Sequence, residues 1–300
     1  MKTVSLLRPC GDENGRYRTG VALAACGVGV VSFDALLVRL CATDGWNVSF
    51  WRGLFMAVAV SLAILAECRR DPDAFAGTRT IPLLATSLLM ALSSISLVLA
   101  FTLTPAANAV VILSSSPLFS ALFSRIWLRE MAPRRTLVAI AVAIVGVIIV
   151  VSGSLGEGNA TGDALALLSA VIIGAHLTLL RRFPGLNRQA AVAGAGLFMA
   201  LLTFPLAQPL TLSASSYFYL AIMGLIQMPL AMVLMAIGTR YLPAAEISLF
   251  LLLETFLAPI WVWMALGEIP NSTTFLGGFL IIATLVVNSL LGLRNTKAAF

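Results

Sequence analysis

The sequence predicts an all-α integral membrane protein of ten transmembrane helices, arranged as two inverted five-helix repeats. Three observations lead to this prediction: an apolar composition, ten apolar runs of membrane-spanning length, and a pattern that recurs in the second half. Of the 300 residues, 60% are hydrophobic and only 11% are charged. A soluble domain carries about 25% charged residues, so much of the apolar surface must face lipid.

The apolar runs have the length that a bilayer requires. A spanning helix needs about 20 mostly apolar residues to cross a hydrocarbon core of about 30 Å. Helices rather than barrel strands are predicted, because barrel strands are short and alternate in polarity. The runs lie near 20–40, 47–66, 81–103, 106–126, 136–152, 162–180, 190–207, 216–239, 245–265 and 273–293.

The basic residues indicate the orientation of the helices, because Lys and Arg resist translocation. With the N-terminus inside, 17 of the 19 basic residues fall on the cytoplasmic side, and only Arg39 and Arg52 do not. We therefore expect a multi-pass protein of a bacterial inner membrane, with cytoplasmic tails at 1–18 and 294–300. This topology accounts for the net charge of +6, so the lipid bilayer and not nucleic acid is the expected partner.

Several short patterns occur twice along the chain. The segment 103–107, which contains Pro105, returns as 241–245, which contains Pro243, and Gly53–Ala57 returns as Gly196–Ala200. Thr19-Gly20 also returns as Thr161-Gly162. The recurrence divides the chain into a first repeat at 19–152 and a second at 153–293.

Five helices per repeat is an odd number, so the second repeat must begin on the opposite side of the membrane. Two similar units of opposite orientation are related by a pseudo-two-fold axis in the membrane plane. Many secondary transporters share this plan and bind their substrates near the midplane between the repeats. A duplicated helix set that serves only as a scaffold is the alternative reading of the repeat.

The doubled pattern resembles the drug/metabolite transporter superfamily, and specifically its ten-helix EamA-type branch. In each copy Pro-Ala-Ala precedes an apolar span that ends in Glu130 or Glu268, and a span containing glycine follows. The sequence departs from the family where Thr255, and not proline, follows Glu254, and where no glutamate precedes Pro117. The resemblance covers about residues 19–293.

The resemblance implies export of amino acids or other small metabolites without a cofactor. Within the family, the likeness is strongest to bacterial exporters of aromatic and other neutral amino acids, the YddG type. A transporter of another metabolite or of a drug-like compound is the alternative substrate reading. A monomer is expected, with a dimer as the alternative.

Ionisable side chains inside a span are costly, and each is therefore a candidate for substrate binding or ion coupling. Asp34 and His176 occupy equivalent positions in the two repeats when Thr19-Gly20 is aligned with Thr161-Gly162. Asp34 is suited to a substrate ammonium, and His176 to a carboxylate or to proton exchange. Glu254 lies well inside the ninth span. For all three, a hydrogen bond that only locks helices together is the alternative.

Other polar and aromatic residues are weaker candidates. Arg52 is suited to a substrate carboxylate, or it extends to lipid headgroups. Serine, glutamine and tryptophan side chains can line a polar path or stack on an apolar substrate, and prolines can act as hinges. The polar and aromatic candidates are Trp51, Ser93, Ser115, Gln227 and Trp261, and the hinge candidates are Pro117, Pro229 and Pro259.

The sequence argues against an enzyme. A single histidine, with no clustered cysteines and no carboxylates at ligand spacing, provides no catalytic or metal-binding constellation. The chain also lacks the Gly-x4-Gly-Lys-Ser/Thr motif of ATP-hydrolysing proteins. No catalytic residue and no metal site is therefore assigned, and concentrative transport would depend on an ion gradient.

Overall fold

A computed structural model describes residues 13–70, 79–104, 109, 112–113, 115–131, 133–151 and 160–266, and 276–291 except 278, 285 and 289. The predicted tail at 294–300 lies outside these residues, as do the Pro105–Ala107 motif and Glu268. Residues 13–18, expected in the N-terminal tail, belong to the first helix.

The helices are α1 (Glu13–Val31), α2 (Asp34–Cys41), α3 (Gly45–Arg70), α4 (Thr80–Leu103), α5 (Ser116–Phe123), α6 (Arg134–Val151), α7 (Ala160–Arg182), α8 (Arg188–Thr203), α9 (Ala214–Ile222), α10 (Met228–Gly238), α11 (Ala244–Leu251) and α12 (Leu253–Leu266). The residues described between 276 and 291 are also helical.

The predicted fold class is confirmed: the chain is an all-helical, multi-pass membrane protein of ten spans in two repeats. Three of the spans contain two labelled helices each, α1 with α2, α9 with α10 and α11 with α12. Five helical stretches are long and apolar enough to cross a membrane. Large apolar side chains such as Leu62, Ile81 and Phe279 are exposed on the protein surface. A lipid environment accounts for this exposure, because a surface of this kind would be unstable in water. The five long stretches are Gly15–Val38, Gly45–Arg69, Thr80–Leu103, Ala160–Arg182 and Ala214–Gly238.

Within the described residues, four of the predicted spans contain a segment that is not α-helical. The first is interrupted at Ser32-Phe33, between α1 and α2. The fourth span ends in a π-helical turn, Ser124–Leu128, directly after α5. The eighth contains a π-helical turn, Met223–Gln227, directly before α10, and the ninth is interrupted at Leu252. Pro229 explains the π-helical turn of the eighth span, because proline has no N–H to donate to a backbone carbonyl in the preceding turn of the helix. The hydropathy of a span does not detect such breaks, since the side chains around them remain apolar.

The two repeats cross at a pair of glycines. A Cβ atom on Gly53 would lie 2.8 Å from the Gly196 carbonyl oxygen, and one on Gly196 would lie 2.6 Å from that of Gly53. The backbones of α3 and α8 are therefore in direct contact, as small residues permit in membrane helices. The glycines belong to the recurring segments Gly53–Ala57 and Gly196–Ala200, so this reciprocal contact is what a two-fold axis requires.

A second pair of contacts between the repeats is also related by this two-fold axis. Gly20 in α1 packs against Leu242, in the turn after α10, so closely that a Cβ atom built on Gly20 would lie 2.8 Å from Leu242 Cγ. Gly162 in α7 packs against Thr104, at the end of α4, and a Cβ atom built on Gly162 would lie 2.7 Å from Thr104 Cβ. Each contact joins the first helix of one repeat to the third span of the other repeat. The repeats are thus interlocked, and their shared interior is the place for a common site.

Candidate functional site

The break at Ser32-Phe33 exposes backbone carbonyls in the interior of the helix bundle. The Ser32 N–H still donates to Val28 at 2.9 Å, and Leu37 donates to Phe33 at 3.0 Å. Between these two bonds, the carbonyls of Val30 and Val31 accept from Gln227 Nε2 at 3.3 Å each. Transporters commonly place discontinuous helices of this kind at substrate and ion sites, where freed carbonyls supply ligands.

A buried ion pair lies directly after the break. Arg52 Nη1 in α3 donates to Asp34 Oδ2, the first residue of α2, at 3.0 Å. Arg52 is 3% exposed and Asp34 is 5% exposed, so Arg52 does not extend to the membrane surface. Its second amino group, Nη2, contacts the thioether sulfur of Met228 at 3.1 Å. Arg52 therefore links the first repeat to the residue that directly follows the π-helical turn of the second.

The second repeat contributes two more of the predicted residues to this region. Trp261 Nε1 in α12 donates to Ser32 Oγ at 2.7 Å, and the Trp261 ring stacks on Phe33 at 4.3 Å between centroids. Glu254 lies in the first turn of α12, which packs against α2. Five predicted candidates thus meet at one place. We call this set the break-site cluster: Asp34, Arg52, Gln227, Glu254 and Trp261.

Removing the charge of Asp34 should destabilise the protein. Asp34→Asn leaves the Arg52 guanidinium buried without its counter-charge, and breaking a buried ion pair costs about 3–5 kcal/mol. The double variant Asp34→Asn/Arg52→Gln should recover much of this loss, because it removes the uncompensated charge as well. Thermal unfolding of the purified protein in detergent measures both effects.

The pair Arg181–Glu130 is the matched control, because its carboxylate is 46% exposed and its N–O distance is also 3.0 Å. Glu130→Gln should cost less than about 1 kcal/mol, as exposed ion pairs do. Equal melting temperatures for Asp34→Asn, Glu130→Gln and the unmodified protein would contradict the role of the buried pair.

The other predicted residues lie elsewhere. Trp51 Nε1 donates to the Pro209 carbonyl at 3.2 Å, and the Trp51 ring packs edge-on against Tyr217 at 5.3 Å. Ser115 Oγ donates to the Ile112 carbonyl at 2.7 Å within its own helical segment. Pro117 and Pro229 are buried, and Pro259 lies in α12 at a position whose side chain is outside the described set.

His176 occupies the position in α7 that corresponds to Asp34, but its surroundings differ. Its Nδ1 lies 3.0 Å from the backbone carbonyl of Thr86 in α4. Farther along the same interface, Ser93 Oγ and Ser169 Oγ are 3.2 Å apart, and Ser169 also donates to the Ser93 carbonyl. These contacts join α4 to α7. The structure therefore separates His176 and Ser93 from the break-site cluster.

A polar network that the sequence analysis did not assign lies at the predicted cytoplasmic end of the bundle. Glu246 in α11 is 1% exposed and accepts from Tyr17 Oη and Arg135 Nη2, both at 2.9 Å. Arg135 Nη1 donates to the Asn288 carbonyl at 2.6 Å. The network joins two helices of each repeat. The one sequence signal for this network was the acidic residue that follows Pro243-Ala244-Ala245. Nothing in the sequence set Arg135 apart from the other basic residues as a partner for it.

The fold and the break-site cluster together define a class of protein. Inverted repeats that enclose a discontinuous helix with buried charges are typical of secondary membrane transporters. Within the described residues, no group of three His, Cys, Asp or Glu side chains is arranged to hold a metal ion.

The chain belongs to the EamA-like transporter family, whose model matches residues 18–152 and again residues 160–290. The protein is therefore a non-enzymatic membrane transporter, and the two matches correspond to its two repeats. A solved structure described only as "Crystal structure of protein" is 20% identical and has a TM-score of 0.77. That similarity covers 91% of this chain and 98% of the other, and it shows the fold alone. No curated protein matches the chain.

Proposed function

We propose that this transporter exports small neutral metabolites, and specifically aromatic or other neutral amino acids, across a bacterial inner membrane. Alternating access is the proposed mechanism, with both chain termini in the cytoplasm. One observation carries the proposal: the buried Asp34–Arg52 pair lies at the helix break, where both repeats contribute side chains. Buried charges in a membrane protein are expensive, and they commonly mark the path of a substrate or ion.

The aromatic surface beside the charges supports an amino-acid substrate. Phe33 directly precedes Asp34, and its ring stacks on that of Trp261, a member of the break-site cluster. An aromatic face next to charged and carbonyl groups suits a molecule with a polar end and an apolar end. Neutral amino acids, and aromatic ones in particular, have this form.

The network around Glu246 supports a two-state mechanism. It joins α1 and α6 of the first repeat to α11 and residue 288 of the second. Opening a path to the cytoplasm between these helices would require the Tyr17–Glu246 and Arg135–Glu246 contacts to separate. Such contacts form and break discretely, as an element with two stable arrangements requires.

The test is exchange of labelled phenylalanine by the purified protein in liposomes. Vesicles preloaded with unlabelled phenylalanine should accumulate external label transiently, with saturable kinetics and chemically unchanged substrate. Protein-free vesicles provide the background. The rate should be compared at several pH values and membrane potentials, which would show whether protons or net charge move with the substrate.

Two outcomes would contradict the proposal. Flux that does not saturate and shows no exchange would indicate a pore. The absence of flux for every neutral amino acid, with correctly folded protein, would favour another metabolite or a scaffolding role.

A further inference from the structure

Two acceptor atoms in the break-site cluster have no hydrogen-bond donor among the residues that the structure describes. They are Asp34 Oδ1 and Gln227 Oε1, and both atoms are fully buried. Each parent residue is only 5% exposed. Buried polar atoms in native proteins are nearly always paired, because water is not available to replace a missing partner. Each of these oxygens can therefore accept a hydrogen bond from a donor that the described residues do not supply.

The two oxygens belong to the same neighbourhood. Gln227 Nε2 donates to the carbonyls of Val30 and Val31, a few residues before Asp34. Arg52 contacts Asp34 with one amino group and Met228, the residue after Gln227, with the other. Arg52 and the helix break thus hold both side chains in place, while one oxygen of each is left unused.

The charges of the cluster determine which donor fits. The Asp34 carboxylate pairs with the Arg52 guanidinium through Oδ2, so Oδ1 is the carboxylate oxygen that remains available. The guanidinium is already paired with Asp34. A substrate carboxylate placed at Arg52 would lie beside the Asp34 carboxylate, where like charges repel. A substrate ammonium has three N–H donors, no acceptor, and a charge opposite to that of the Asp34 carboxylate.

We infer that the transporter recognises the primary ammonium group of its substrate through Asp34 Oδ1 and Gln227 Oε1, and that a substrate carboxylate is dispensable. The inference rests on the proposed function, because it names the chemical group that the same site binds. It extends the substrate class from amino acids to primary amines that bear an apolar group and no carboxylate.

The first test uses the unmodified protein, so it does not depend on any variant folding. Phenethylamine, 3-phenylpropionate and N-acetylphenylalanine compete with labelled phenylalanine in the liposome exchange assay. Phenethylamine should inhibit within about tenfold of phenylalanine, and the two compounds without a free ammonium should be about 100-fold weaker or more. Inhibition by 3-phenylpropionate but not by phenethylamine, or by neither compound, would overturn the inference.

The second test separates the Gln227 oxygen from its amide nitrogen. Gln227→Glu keeps an acceptor oxygen but loses the donor to the Val30 and Val31 carbonyls, whereas Gln227→Met loses both. Binding of phenethylamine, measured as a shift of the melting temperature in detergent, should persist in Gln227→Glu and disappear in Gln227→Met. Loss of the shift in both variants would mean that Gln227 only stabilises the helix break.

Gln189 offers the matched control, because its Oε1 is also buried without a partner but lies at the start of α8. Gln189→Met should leave the phenethylamine shift unchanged. The amine-binding measurement does not require transport, so the two proposals fail separately. Amine binding without phenylalanine exchange would refute the proposed function alone, whereas exchange without amine recognition would refute only the inference.

Discussion

Replacing Gly196 with alanine is expected to force α3 and α8 apart and to lower the melting temperature of the protein markedly. The added Cβ atom would lie 2.6 Å from the Ala57 nitrogen and 2.6 Å from the Gly53 carbonyl oxygen. Both neighbours are backbone atoms, so no side-chain rotation can relieve the clash. Overpacking of this kind costs about 1–3 kcal/mol, and we expect the upper end of that range.

Gly29 provides the matched control for this substitution. It lies in α1, and a Cβ atom built on it would meet no described atom outside its own helix within 4 Å. Alanine at that position should be neutral or stabilising by about 0.5–1 kcal/mol, because glycine is unfavourable within a helix. Gly196→Ala should therefore lower the melting temperature, whereas Gly29→Ala should leave it unchanged or raise it. A melting temperature for Gly196→Ala equal to that of the unmodified protein would contradict the close crossing.

Replacing Arg188 with lysine should also destabilise the protein strongly. Arg188 begins α8, is 2% exposed, and donates to four backbone carbonyls and the Thr239 hydroxyl at distances of 2.7 to 3.3 Å. These carbonyls include Leu180 and Ala236, near the C-terminal ends of α7 and α10, where the helix dipole favours a cation.

A lysine ammonium has three donors and a point-like geometry, whereas the arginine guanidinium has five donors in a planar fork. At least two of the five acceptors would lose their donor in Arg188→Lys, at about 1–3 kcal/mol each. We expect a loss of about 3 kcal/mol or more, and little folded protein for Arg188→Met.

Arg182→Lys is the control, because Arg182 is exposed at the end of α7 and contacts the Phe183 ring at 6.0 Å. Its effect should stay within about 0.5 kcal/mol. Fluorescence-detected size-exclusion chromatography and thermal unfolding measure both variants. Similar stability of Arg188→Lys and Arg182→Lys would show that the carbonyl contacts contribute little.

Some of the fold was readable from short recurring patterns. The likeness of Gly53–Ala57 to Gly196–Ala200 indicated a repeat, and the structure brings these two segments into reciprocal contact. Glycine is necessary at such a crossing because only a residue without a Cβ lets two backbones touch. The sequence pattern and the contact therefore have the same physical cause.

The candidate site could be predicted only in part from the sequence. The cost of a charge in lipid singled out Asp34 and Glu254 individually, but it did not indicate that Arg52 pairs with Asp34. That pairing depends on the position of the helix break at Ser32-Phe33, and no proline or glycine marks the break itself. The Glu246 network was missed because its members come from four helices that are far apart in the chain.

The sequence by itself determined the membrane class, the number of helices and the division into two repeats. These properties depend on the transfer of each apolar run into lipid and on local similarity, which need no knowledge of neighbouring helices. Only the tertiary structure decided that Asp34 meets Arg52 and Gln227, and that His176 bonds with Thr86. Partner choice among buried polar groups depends on how helices cross and rotate, because a hydrogen bond is lost within about an ångström of displacement.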